Sequence, residues 1–93
     1  MHAVYVLLSD KDKNFYVGYT HDLKGRFDAH IFGTVASTKL QRPVRLIYVE
    51  ICIDKRDAMK RERYLKTRHG KMFLHNHLKS YLTGQILSHG SKI

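Results

Sequence analysis

Residues 3 to 8, Ala-Val-Tyr-Val-Leu-Leu, are apolar at every position. A half-solvated strand alternates apolar and polar side chains, so a run apolar on both faces predicts a central strand covered from both sides. The polar stretch Ser-Asp-Lys-Asp-Lys-Asn follows at once, and Asn-Phe-Tyr-Val-Gly-Tyr, residues 14 to 19, then returns to strand chemistry. Residues 3 to 19 therefore read as a β-hairpin. Pairing odd with even positions would put Tyr5 and Tyr16 on one face, and a slip of one residue would separate them. Gly18 is conspicuous in the second strand, because a glycine weakens a strand unless a bulge or a close approach to the backbone needs the missing side chain.

Beyond Thr20 the periodicity changes. Thr20 or Asp22 offers an N-cap, Leu23, Phe27 and Ile31 recur every four residues, and Gly33 ends the pattern, which predicts an amphipathic helix. Arg26 and His30 are also four apart, so they are neighbours on a stripe flanking the apolar one and can act on one target. Residues 33–43 read as a loop, and residues 44–53 as a long third strand with mostly apolar faces. Asp54 caps a second helix that runs to a cationic end at Gly70, and a third spans about Lys71 to Leu82, with Leu74, Leu78, Tyr81 and Leu82 as its core stripe. The expected class is α/β of the α+β kind: a small three-stranded, mostly antiparallel sheet flanked by three helices in the order β-β-α-β-α-α. Residues 1–82 form one domain, and residues 83–93 form a tail expected to fray.

Charge narrows the partners. Seventeen Lys and Arg against eight Asp and Glu give a formal charge of +9, which favours polyanions. The excess is lopsided: six cations face four acids up to Pro43, and eleven face four from Val44 onward. Lys39, Arg42 and Arg45 bracket the loop, and Lys60 and Arg63 stand on the second helix; all five are candidate phosphate contacts. The one cysteine, Cys52, allows no disulfide within the chain and reads as a small buried hydrophobe. The N-terminal apolar run is too short for a membrane span and lacks a basic leader, so a soluble, cytoplasmic protein without membrane contact is expected. His75 and His77, two apart on a helix, diverge by about 200° and read as surface residues.

Glu62 is harder to dismiss. At about 100° per residue it shares a narrow arc with Ala58 and Leu65, so a carboxylate lies in an apolar stripe. Such a group is paired with a cation, protonated, or bound to a metal ion, because a buried lone charge is costly.

In chain order the features are Val4-Tyr5-Val6, then Tyr16-Val17-Gly18, Arg26 and His30 on the first helix, and Glu62 on a later one. This arrangement resembles the GIY-YIG nuclease family, as one of its small stand-alone members, over about residues 3 to 80. Tyr5 occupies the tyrosine of the first motif, although Val4 and Val6 depart from its usual neighbours, and Tyr16-Val17-Gly18 stands for the second. The resemblance implies metal-dependent endonuclease chemistry on nucleic acid, DNA foremost, selective for structure and serving repair or recombination. It assigns Tyr5, Tyr16, Arg26, His30 and Glu62 to catalysis and Gly18 to the site's structure. It also makes Glu62 the ligand of a single Mg²⁺ or Mn²⁺, and matches Asn76 to a further active-site asparagine. Phosphodiester attack adds negative charge to an anion, so cations around phosphorus and a base near the water are required. Tyr5, Tyr16 and His30 are the alternatives for that base. A binding module that does not cut is the rival reading, and a domain that reaches its substrate through a docked protein partner is a third. The sequence does not fix the oligomeric state.

Overall fold

The computed structural model describes residues 1–84. Its elements are β1 (His2–Ser9), β2 (Phe15–Thr20), α1 (Leu23–Phe32), α2 (Ala36–Lys39), β3 (Val44–Cys52), α3 (Lys55–Leu65) and α4 (Arg68–His77). Residues 79–84 are helical as well. The expected α+β class and three-stranded sheet are found, with two more helical pieces than the three expected. Residues 83–84 of the expected tail belong to that last helical stretch, and the rest of the tail lies outside the described residues. The fold comprises two compact units, residues 1–63 and residues 64 onward. No helix among the described residues is long and apolar enough to cross a membrane.

In the first unit the sheet runs β2-β1-β3, antiparallel throughout. Every residue of β1 from Ala3 to Ser9 is buried, as a strand apolar on both faces must be. Register pairs Tyr5 with Gly18 and Leu7 with Tyr16, so Tyr5, Leu7, Tyr16 and Gly18 face the same way. Tyr5, Leu7 and Val44 form a core on that face, against which Tyr16, Leu23, Phe27, Leu46 and Val49 pack. A β-bulge opposite Val6 and Leu7 lets β3 place both Val49 and Leu46 there. Glu50, paired with Val4, belongs to the other face, and its carboxylate takes a two-pronged contact from Arg61 at 2.9 Å on each prong.

Asp22 caps α1 by accepting from the Gly25 amide, and Gly33 ends it in the left-handed conformation. The buried stripe of α1 differs from expectation. Ile31 is exposed, and the buried position beside Leu23 and Phe27 is His30. At 100° per residue His30 lies 20° from Leu23 on the side opposite Phe27, whereas Ile31 lies 80° away.

The second helix also ends earlier than expected, at Leu65, and Gly70 is a buried residue inside α4 rather than a terminator. Thr67 explains the break. Its hydroxyl donates to the Tyr64 carbonyl at 2.6 Å and accepts from the Gly70 amide at 3.1 Å, capping α4 and diverting the chain from α3. Gly70 then approaches so closely that a Cβ there would overlap the Tyr64 carbonyl oxygen and the Leu65 Cα. Alanine in a helix interior ordinarily gains up to about 1 kcal/mol over glycine. Gly70→Ala should instead lose stability, by about 1–3 kcal/mol, since the obstructing atoms are backbone. Urea denaturation of the two proteins measures this, and an equal or higher midpoint for Gly70→Ala would refute the close-packing account.

Candidate active site

Gly18 and Tyr5 face each other across β1 and β2, and a side chain at Gly18 would overlap the end of the Tyr5 ring. The missing Cβ therefore gives the phenol room to lie flat across the neighbouring strand. The gap in β2 is filled by the partner tyrosine.

So placed, the Tyr5 hydroxyl meets α1. His30 Nε2 lies 2.9 Å from Tyr5 Oη, with the rings edge-on at 5.6 Å, and Arg26 Nε donates to the same oxygen at 3.4 Å. Behind His30, its Nδ1 lies 2.6 Å from the Thr38 hydroxyl on α2. The chain Arg26, Tyr5, His30, Thr38 passes from solvent to interior: Arg26 is exposed, Tyr5 and His30 retain 4% and 3% of their surface, and Thr38 none. No buried side-chain polar atom among the described residues lacks a hydrogen bond.

The three candidate bases separate in these surroundings. The Tyr16 hydroxyl donates to the Asp12 carboxylate at 2.5 Å, which raises the phenol's pKa above the usual tyrosine value and keeps it protonated. Asp12 is held below the ordinary carboxylate range by the same bond and by the Asn14 amide. His30 is held below the ordinary imidazole value, first by burial and then by the Arg26 cation, so it stays neutral.

The structure places Tyr5, Arg26 and His30 in one hydrogen-bonded group and Tyr16 beside it on the same sheet face, turned to Asp12. Glu62 stands half-buried on α3, one turn after the fully buried Ala58. Among the described residues no three His, Cys, Asp or Glu side chains gather as a metal-binding group. A single accessible carboxylate fits a hard ion that keeps most of its waters and takes further oxygens from phosphate. Asn76 is exposed on α4, in the second unit.

The loop cations divide in the same way. Arg42 donates to the Lys39 carbonyl at 3.0 Å and the Ile31 carbonyl at 3.4 Å, and Arg45 pairs with Asp10 at 3.0 Å, while Lys39 is exposed. Lys55, Arg56, Met59, Lys60 and Arg63 line a shallow groove on α3. Thr38 and Asp12 escaped the sequence reading. Asp12 carries a local signal, an aspartate two residues before the amide it accepts from. Thr38 carries none beyond its place four residues before Arg42 in a polar stretch.

The chain matches the model of the GIY-YIG catalytic domain over residues 1–78. It is 46% identical over 66 residues to the UPF0213 protein YazA of Bacillus subtilis, covering 70% of this chain and 66% of that protein. It is 42% identical over 77 residues to the UPF0213 protein CPE1444 of Clostridium perfringens, covering 80% and 82%. The solution structure of the UPF0213 protein BH0048 from Bacillus halodurans superposes with a TM-score of 0.52 at 33% identity, over 81% of this chain and 82% of that one.

The neutral, buried His30 has a consequence for stability. An unfolded imidazole titrates near 6.5, so below that pH the unfolded chain takes up a proton that the native chain refuses. Stability is then complete above about pH 6.5, falls as pH drops below it, and levels off once the native imidazole also titrates. The urea midpoint should fall between pH 7.5 and pH 5, and His30→Gln should abolish much of that fall. Asp12 and Asp54, both held below 3.8, contribute only at more acid pH. A wild-type midpoint unchanged from pH 7.5 to pH 5 would mean that native His30 takes a proton as readily as the unfolded chain.

Proposed function

The chain belongs to the GIY-YIG family, whose domain is a nuclease domain, and from that premise we propose that it is a divalent-metal-dependent endonuclease acting on DNA. We further assign it selectivity for the structure of its substrate, as repair or recombination requires. The observation that carries this reading is the Arg26–Tyr5–His30 group: a cation, a phenol and a neutral imidazole in contact, with the cation at the exposed end.

Arg26 spends Nε on Tyr5 and leaves the terminal nitrogens of its fork for a nonbridging phosphate oxygen. Tyr5 Oη takes a proton from the attacking water while its own proton passes to His30 Nε2. The water's O–H bond breaks, a phenol O–H bond forms, and the imidazole ends protonated. The imidazolium beside Arg26 is unfavourable in the free protein, and the bound phosphodiester with its growing negative charge offsets it. Tyr16, held by Asp12, orients rather than accepts. Glu62 would hold the Mg²⁺ or Mn²⁺, which when bound supplies Lewis-acid stabilisation of the leaving oxygen. Lys60 and Arg63 contact phosphates along the groove on α3; the weak surface pair of Lys60 with Asp57, 3.7 Å long, is readily exchanged for a phosphate.

Labelled duplex, nicked, branched and single-stranded DNA incubated with Mn²⁺ or with EDTA tests the reading directly. Cleavage of at least one form should require the metal, and Glu62→Gln should abolish it while DNA binding persists. Arg26→Ala should lower cleavage by roughly two to three powers of ten, the scale of one lost transition-state charge partner. Lys79→Ala serves as the control, and an equal loss there would remove any special role from Arg26. DNA that is bound but never cut would favour the non-cleaving module.

Binding has its own signature in salt. Each neutralised phosphate contributes about 0.9 to the slope of log affinity against log salt. In a Glu62→Gln background, adding Lys60→Ala and Arg63→Ala should flatten that slope by about 2, with little dependence on DNA sequence. An unchanged slope would move the nucleic acid off α3.

A further inference from the structure

His30 has a partner that the family reading leaves without a role. The imidazole is neutral and buried, so it has one lone pair and one N–H, and two hydroxyls compete for the lone pair: Tyr5 at Nε2, 2.9 Å away, and Thr38 at Nδ1, 2.6 Å away. A phenol is far more acidic than an aliphatic hydroxyl and is the better donor to nitrogen. Arg26 Nε–H already donates to the phenol oxygen, which sharpens that acidity and leaves the phenol proton in need of an acceptor. The lone pair therefore belongs at Nε2 and the hydrogen at Nδ1.

We propose that Thr38 is a positioning residue: its hydroxyl accepts the Nδ1–H of His30, fixing the tautomer that leaves Nε2 open to the proton of Tyr5. The surrounding loop is built for this. Lys11 Nζ donates to the Leu40 carbonyl, Ser9 Oγ to the Gln41 carbonyl, and Arg42 to the carbonyls of Lys39 and of Ile31 in α1, so the chain just after Thr38 is fastened to β1, the β1–β2 turn and α1. Thr38 has no exposed surface and does not touch substrate; it acts through His30. The catalytic consequence rests on the nuclease reading above, whereas the tautomer does not.

Long-range ¹H–¹⁵N spectra of the imidazole rings at pH 7.5, with His30 identified by its loss in His30→Gln, read the tautomer directly. Wild type should show a protonated Nδ1 and a bare Nε2. Thr38→Val, close to threonine in size, should shift His30 toward the Nε2–H form, and Thr38→Ser should restore the wild-type pattern. In cleavage assays Thr38→Val should lower kcat on the order of tenfold to a hundredfold with KM little changed, the scale for losing a group that orients a working imidazole, and Thr38→Ser should recover most of the rate. A bare Nδ1 in wild type overturns the proposal, as does an unaltered tautomer or an unaltered kcat in Thr38→Val. If Thr38→Val does not fold, the wild-type spectrum still tests the proposal, since a bare Nδ1 there overturns it. If no DNA form is cut by wild type, the nuclease reading fails and the spectra judge the tautomer alone.

Discussion

A tyrosine hydroxyl set in the middle of a small sheet, on a residue that keeps only 4% of its surface, needs partners within the protein, because an unmade hydrogen bond there costs about 1–3 kcal/mol. Much of the first unit follows from that requirement. Gly18 gives up its side chain so that the Tyr5 ring can lie across β2, α1 turns His30 inward where an apolar residue would otherwise sit, and the polar segment after α1 returns to place Thr38 behind the imidazole. Each polar group is satisfied by the next, and the series ends in solvent at Arg26. A buried network of this sort is rigid when every member is paired. The same pairing keeps the phenol and imidazole within hydrogen-bond reach before any substrate arrives.

The excess of positive charge is used in two ways. Arg42, Arg45 and Arg61 bind the chain's own carbonyls and carboxylates, holding the loop, the hairpin and α3 in place. The exposed cations on α3, with Lys39, Lys24 and Arg26, belong to the surface remainder. Arg42 and Arg45, expected from the sequence to contact phosphates, are also structural ties.

The hairpin, the caps of α1 and the third strand were legible because local chemistry dictates them: unbroken apolar residues, Asp22 ahead of a helical stripe, Gly33 with its positive φ of 79°. Arg26 and His30 were legible as neighbours because their four-residue spacing on a helix survives folding, and Tyr5 joined them through the resemblance to the GIY-YIG family. The four-residue α2 was not, since one helical turn leaves no periodicity to detect, and the burial of Thr38 depends on a contact eight residues back along the chain. The end of α3 was misread because cations and Gly70 resemble a helix terminus, whereas the hydroxyl of Thr67 makes the break. In each failure a side-chain bond formed in the folded chain outweighs a local preference.

The ties around Thr38 bear on which relatives of this chain can exist. Surface loops ordinarily drift in length between homologues with little penalty. Here residues 33–43 are fastened at Leu40, Gln41 and Arg42, and Thr38 lies between those ties and the end of α1. One residue inserted between Gly33 and Thr38 would rotate the single turn of α2 by about 100° and carry the hydroxyl away from the imidazole. The geometry thus constrains the number of residues in that loop as much as their identity.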